Sequence, residues 1–223
     1  KDINEALKKV SSLGFIPTMG SLHKGHEYLI KQSKKKCNQT LVSIFINPTQ
    51  FNNKKDYLSY PKNLKKDLNI LKKLKVNYVY IPNKKDVYSF KRKKSIVLKK
   101  ENRVLCAKFR KGHFEGVIDV MDRLTSIIRP NKIFMGEKDY QQLMLVKKFI
   151  EKKYKTKIVS CKTIRNKDKL ALSSRNHLLN KQDLIKASKI AKELFNLKKF
   201  LKNKKKTKTL LQKKLKLLKK NFD

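Results

Sequence analysis

A short apolar run that breaks at a glycine turn and restarts as a helix leaves a chain few options. Residues 14–30, GFIPTMGSLHKGHEYLI, read that way. Gly14 to Thr18 has the character of a buried strand. Met19-Gly20-Ser21-Leu22 is a glycine-containing turn, His23-Lys24-Gly25-His26 follows, and Tyr28, Leu29 and Ile30 open a helical pattern. A strand, turn and helix start in that order place backbone N–H groups and the positive end of a helix dipole where phosphates can sit. Two histidines flanking one glycine add two imidazole donors at the same mouth. The glycine lets a flat base or ribose press against the backbone. H-x-G-H alone arises readily by chance, so the preceding strand and turn carry the weight.

The charge needs its own account. Lysine and arginine total 59 against 17 acidic residues, a formal +42, which is the footprint of a polyanion binder or of mutational drift. Only seven of the 59 are arginine, and there are 17 asparagines but five alanines. Lys and Asn codons are AT-rich, whereas Arg, Ala and Gly codons mostly are not. The lysines are dispersed and lack the interleaved aromatics that base stacking needs. We therefore read a solvated lysine surface with weak, salt-sensitive polyanion binding and no specific nucleic-acid partner. Cys37, Cys106 and Cys161 are far apart, with no zinc-ligand spacing, and fit a reducing cytoplasm. No apolar run approaches the roughly 20 residues of a membrane span, so no membrane partner is expected. The first residues, KDINEALKKV, predict an amphipathic helix rather than a signal peptide. The chain begins at Lys1 rather than Met, so residues before it are expected.

In chain order the pattern predicts a helix over Lys1–Ser12, the Gly14–Thr18 strand and a helix over Gly25–Lys36. Gln39–Ile46 (QTLVSIFI) is apolar on both faces, as in a central parallel strand. A helix over Pro61–Lys75, a strand over Val76–Ile81 and a short strand over Ser95–Lys99 follow. Then come a loop over Leu105–Gly116, a helix over Phe114–Ile128 stopped by Arg129-Pro130, and a strand over Lys132–Met135. A helix to about Tyr154 and a strand over Thr156–Ile164 complete the alternation. Helices over Gln182–Leu201 and Leu210–Leu218 flank a lysine-rich linker, Lys202–Thr209. Strands alternating with helices predict an α/β protein with a Rossmann-like parallel sheet flanked by helices, and a shortened, mostly helical C-terminal domain. The boundary is placed between residues 1–163 and 164–223.

Ligands bind beyond the carboxyl ends of such strands. Asn47 and Gln50, after the second strand, are placed to meet a small polar substrate or, more plainly, to cap a Pro turn. Asp67 lies on the polar side of its helix, where a solvated role suffices. Gly136-Glu137-Lys138-Asp139 lies between a strand and a helix, with Lys138 able to reach a phosphate and Gln142 one turn on. The plain alternative there is Asp139 as helix cap. Arg165 to Leu179 carries Ser173-Ser174-Arg175-Asn176, either a phosphate clamp or a turn and cap. Arg110 is one of few arginines kept in a lysine-rich chain, which hints at a geometry lysine cannot meet.

Five ordered strings, GFIPTMGSLHKGH, SIFINPTQF, LCAKFRKGHFEG, GEKDYQQL and RNKDKLALSSRN, together resemble the pantoate–β-alanine ligases (pantothenate synthetases) of the HxGH nucleotidyltransferase superfamily. The resemblance covers about Gly14 to Leu179. It implies that ATP lies against Met19, Gly20, Ser21, Leu22, His23, Lys24, Gly25 and His26. It extends that contact to Gly136, Glu137, Lys138 and Asp139, and to Ile164, Leu172, Ser173, Ser174 and Arg175. It implies pantoate on Gln50, Gln142 and Asn47, and β-alanine on Gln50. It gives His26, His23, Lys138, Ser173, Ser174 and Arg175 catalytic roles, with His26 the proton donor, and offers Asp67 to Mg²⁺. It further implies a cytoplasmic homodimer. Three positions depart from the family: Ala107 and Lys169 stand for glycine and Lys111 for proline. Few residues follow the serine clamp, so a reduced lid is expected. The rival readings are another HxGH nucleotidyltransferase and an inactive basic remnant that binds polyanions.

Overall fold

The apolar strands have somewhere to hide on both faces. The structure, a computed structural model, describes residues 3–90, 95–202 and 208–222. Five strands form one parallel sheet in the order β3-β2-β1-β4-β5: β1 (Leu13–Thr18), β2 (Gln39–Ile44), β3 (Tyr78–Tyr80), β4 (Lys132–Gly136) and β5 (Lys157–Cys161). The helices between them are α1 (Ile3–Leu7), α2 (Lys24–Lys36), α3 (Lys54–Leu58), α4 (Leu64–Lys73), α5 (Lys84–Val87), α6 (Cys106–Phe109), α7 (His113–Ile128) and α8 (Tyr140–Lys153). Leu13, Phe15 and Leu41 join Val117, Met121 and Leu124 of α7 and Val146 and Ile150 of α8 in one core cluster. The alternate positions Ile16, Val42 and Phe134 join Ile30 of α2 and Leu71 of α4 in another. Each such side chain contributes about 1.5–3 kcal/mol relative to exposure. A two-faced core of this kind explains why the strands read as continuous apolar runs.

One irregularity in the sheet positions everything that follows. Thr18 O accepts from Phe45 N–H and Leu13 O accepts from Asn131 N–H. Even positions of β1 therefore bond towards β2 and odd positions towards β4. Pro17, an odd position, has no N–H to offer β4. The β1–β4 register stops at Phe15↔Ile133, whereas β1–β2 runs on to Thr18↔Ile44. The sheet splits there, at the carboxyl ends of β1 and β4, where the strand order reverses and open α/β sheets bind ligands.

Several elements differ from the pattern. The first helix is only Ile3–Leu7, and β2 and β3 end short of Ile46 and Ile81. Ser95–Lys99 is not a strand. Leu98 is buried with Ala107, Phe114, Ile118 and Leu145, and its carbonyl accepts from Arg103 Nε. Side-chain anchoring holds that segment instead of a ladder. Ala107 simply fills this small core. Residues 203–207 of the expected linker lie outside the described residues.

The chain divides into two compact units, Lys1–Thr163 and Ile164–Asp223. The second opens with a tight hairpin-like turn in which Arg165 bridges Ala171. It continues into α9 (Lys181–Lys202) and α10 (Lys208–Phe222). Lys169 has φ 69° there, the left-handed conformation glycine would adopt freely, at a cost of about 1–2 kcal/mol for any other residue. Arg165 stacks its guanidinium over Phe195 at 5.0 Å, and Lys192 pairs with Asp168 at 3.0 Å.

Helix α2 sits so close to β1 that a Cβ on Gly14 would collide with Ser33 Oγ and press on Phe134 at 3.0 Å. Ser33 is itself bonded to Thr40 on the next strand at 2.8 Å, so it cannot turn away without loss. We expect Gly14→Ala to destabilise the protein by about 1–3 kcal/mol, as overpacking does, read as a lower midpoint in urea unfolding.

Candidate active site

Residues Met19 to His26 leave β1 at the split in the sheet. The turn is held from three directions. Thr18 Oγ1 accepts from Gly20 N–H at 3.2 Å and donates to Ser43 O at 2.7 Å. Gly20 and Ser21 both have positive φ, 81° and 51°. Asp67 of α4 accepts from Ser21 N–H at 2.8 Å and Leu22 N–H at 2.7 Å.

The helix start itself is closed by the two histidines. His23 is the N-cap of α2, and its Nδ1 accepts from Gly25 N–H at 3.0 Å. His26 Nδ1 accepts from His23 N–H at 3.2 Å. This reciprocal arrangement is a capping box in which imidazoles replace the usual hydroxyl and carboxylate. It corrects the expectation that bare helix-end amides await phosphate: the Ser21, Leu22, His23 and Gly25 amides are already satisfied. It also fixes the protons. A neutral imidazole that accepts at Nδ1 carries its hydrogen on Nε2, so both rings offer Nε2–H.

Both rings are held neutral. Burial lowers the His23 pKa below its usual 6.5, and the Lys138 ammonium lowers it further. Burial pushes His26 down to about 3, helped by His23 and Lys138. The ring centroids are 4.1 Å apart, too close for two cations. His26 was expected to deliver a proton. With so low a pKa the ring carries no second proton to give at neutral pH, and it offers its one Nε2–H as a hydrogen bond.

The structure brings Lys138, in the turn after β4, into the field of both histidines. It lies 3.4 Å from the exposed Asp139. Glu137 instead accepts from Ser160 of β5 at 2.7 Å, which fastens this turn to the sheet. Gly136 has open space where a Cβ would point. Gln142 is half-buried in the first turn of α8.

Gln50 reaches the mouth from the other side, its Nε2 3.0 Å from Met19 Sδ. Asn47 lies behind it, 1% exposed, and this revises the expectation of a direct substrate contact. Its Oδ1 accepts from Thr49 N–H at 3.4 Å and from Tyr88 O–H at 2.7 Å. Its Nδ2 donates to Gly116 O at 3.3 Å and Gln50 Oε1 at 3.2 Å. Because Asn47 supplies a donor, Gln50 must turn its carbonyl inward and its NH₂ outward. His113, the first residue of α7, bonds the Gln50 backbone carbonyl through Nδ1 at 2.6 Å. A Cβ on Gly116 would collide with the Thr49 carbonyl, so glycine is what lets α7 approach this turn. Tyr88 was missed from sequence. It lies 41 residues from Asn47, and only the VYSF string around it could have drawn notice. Arg123 stacks on its ring at 4.6 Å and on Phe90 at 4.7 Å. Arg110 is exposed at the end of α6.

Asp67 is neither solvated nor placed for a metal. It is 2% exposed and both its oxygens accept backbone N–H groups. Among the described residues no group of three or more His, Cys, Asp or Glu side chains could hold a metal ion. The residues present do not fit a protein cage for Mg²⁺. In the second unit, Leu172 N–H bonds Ile164 O at 3.0 Å. Ser173 Oγ accepts from Arg175 N–H at 3.3 Å, and Ser174 is nearly buried.

A split parallel sheet with an H-x-G-H helix start and a lysine on the neighbouring turn defines an α/β protein of the HxGH nucleotidyltransferase kind. The model of the pantoate-beta-alanine ligase family matches residues 1–223. A pantothenate synthetase of Francisella tularensis subsp. novicida is 44% identical over 190 residues, 84% of this chain and 73% of that one. The crystal structure of pantoate-beta-alanine ligase from Francisella tularensis, complexed with beta-gamma ATP and beta-alanine, superposes with TM-score 0.81. It is 42% identical, over 85% of this chain and 75% of that one. A pantothenate synthetase structure from Thermus thermophilus gives TM-score 0.81 at 31% identity, over 87% of this chain and 72% of that one. This chain belongs to the pantoate–β-alanine ligase family.

The capping box separates the two tasks of His26. His26→Gln keeps an acceptor for His23 N–H, as glutamine does in ordinary capping boxes, but its amide NH₂ does not stand where the ring's Nε2–H does. We expect near-normal helix content with a rate lower by roughly 10²–10³, typical of one lost transition-state donor. The pH dependence follows from the same shift. The unfolded chain protonates His26 near 6.5 while the folded chain resists to about 3, so the stability is fully present above 6.5 and is lost as pH falls towards 3. Urea midpoints at pH 7 and pH 5 should differ less in His26→Gln than in the parent.

Proposed function

We propose that this chain uses ATP to condense pantoate with β-alanine, giving pantothenate, AMP and pyrophosphate. The carrying observation is the pair of neutral Nε2–H donors locked at the split of the sheet beside Lys138. In the first step a pantoate carboxylate oxygen bonds to the α-phosphorus and the bond to pyrophosphate breaks. In the second, the β-alanine amine bonds to the acyl carbon, loses a proton, and AMP leaves. No protein nucleophile is required. The chain's work is positioning and stabilising charge that develops on phosphate oxygens. His23 and His26 donate to those oxygens, Lys138 neutralises them, and Gln50 and Gln142 hold pantoate. Gln50 presents NH₂, so it meets an acceptor, either carboxylate or hydroxyl oxygen. Ser173, Ser174 and Arg175 bind the β- and γ-phosphates. Mg²⁺ enters with ATP, and the roles above belong to the chain's own side chains.

The reading extends to a homodimer. Gln141 donates to the carbonyls of Asn102 and Val104, which brings that segment alongside the first turn of α8. Val104, Leu105, Tyr140 and Met144 are exposed there and Phe109 is 81% exposed nearby, an apolar surface suited to a second copy. The cytoplasm is the compartment we assign, on the three unbridged cysteines. Among the described residues no helix is long and apolar enough to cross a membrane.

The decisive experiment mixes the protein with ATP, Mg²⁺, pantoate and β-alanine. AMP and pantothenate should appear, and AMP release should depend on pantoate. ATP turnover equally fast without pantoate, or ADP as product, would refute the assignment. Tyr88→Phe removes the O–H that steadies Asn47, a bond of about 0.5–1.5 kcal/mol. It should raise the KM for pantoate several-fold, roughly the equilibrium equivalent of that energy, and leave the KM for ATP unchanged.

A further inference from the structure

Gly20 and Ser21 are consecutive residues with left-handed backbone. In this turn the successive Ser21 and Leu22 N–H groups face one side and make a small anion-binding concavity. In a turn at the mouth of a nucleotide site such a concavity is where a phosphate would be expected. Here it is filled by the chain itself. Asp67 Oδ2 takes Ser21 N–H at 2.8 Å and Oδ1 takes Leu22 N–H at 2.7 Å. The carboxylate comes from the first turn of α4 and is 2% exposed. It lies close enough that a Cβ on Gly20 would stand 3.0 Å from Oδ2.

We infer that Asp67 is a positioning residue that straps the turn after β1 to α4, and that it does not bind metal. The strap acts through the backbone. Leu22 immediately precedes His23, whose N–H is bonded to His26 Nδ1. Where Asp67 sets Leu22, it sets the start of the capping box and so the direction of both Nε2–H donors. An aspartate suits the task because its two oxygens can take two parallel N–H groups. Asparagine would face one of them with its own NH₂.

The inference rests on the proposed ATP site, but one arm of its test does not. In the full chain, Asp67→Asn should lower kcat for pantoate-dependent ATP–pyrophosphate exchange about tenfold to a hundredfold, the scale of a misplacement near 1 Å. The KM for pantoate and the Mg²⁺ concentration giving half-maximal rate should not move. An unchanged kcat overturns the strap. A much higher Mg²⁺ requirement, with the rate restored at saturating Mg²⁺, overturns it in favour of a metal ligand. Should the variant fail to fold, the parent chain answers alone. With Mg²⁺ added and no nucleotide, the Asp67 carboxyl ¹³C signal and the Ser21 and Leu22 amide signals should stay in place. A saturable shift centred on Asp67 overturns the inference. This titration is independent of which reaction the site performs, so its failure is distinct from failure of the ligase assay.

Discussion

The missing N–H of Pro17 is the constraint on which the rest of the structure depends. With a donor at that position, β1 and β4 could continue their ladder and the crevice would close. Without it the ladder ends at Phe15↔Ile133, and the turn after β1 and the turn after β4 leave the sheet without a ladder between them. The core below is two-faced and rigid, with Phe15 and Ile16 fully buried on opposite sides. A rigid base under a split end delivers His23, His26 and Lys138 to one place without requiring the sheet to move.

The mouth is then finished by hydrogen bonds that consume the backbone. Side chains close the turn and the helix start: Thr18, Asp67, His23 and His26 each take a main-chain N–H. The two imidazoles thus double as structural caps. Their Nδ1 atoms belong to the fold and their Nε2–H groups belong to the site. Neutrality follows from the same arrangement, because half-buried rings this near each other and Lys138 resist a further charge.

Much of this was legible in the sequence. The strand–turn–helix at Gly14 to Ile30 and the apolar runs of β2 and β4 gave the sheet, because buried parallel strands need apolar residues on both faces. His23, His26, Lys138 and Gln50 could be placed because each follows a strand by a few residues. What could not be read was non-local. Asp67 is 46 residues from Ser21, and its helix has a charged character that looks solvated until the turn is laid on it. Asn47 looked like a substrate contact because nothing in its neighbourhood shows that Tyr88 and Gly116 exhaust its amide. Ser95–Lys99 has strand-like composition, yet Leu98 finds its burial in a satellite cluster. Propensity names a preference, and the available partner decides it.

The outward orientation of Gln50 has one more consequence, for which molecules can enter. His23 and His26 offer Nε2–H, Gln50 offers NH₂ and Lys138 offers an ammonium, so these four side chains are all donors. Such a mouth is a filter by hydrogen-bond polarity. Oxygen-rich anions are welcomed from several directions, whereas a protonated amine finds no acceptor among these four and meets a positive charge. An anion held by these donors would carry the acceptor oxygens that they lack.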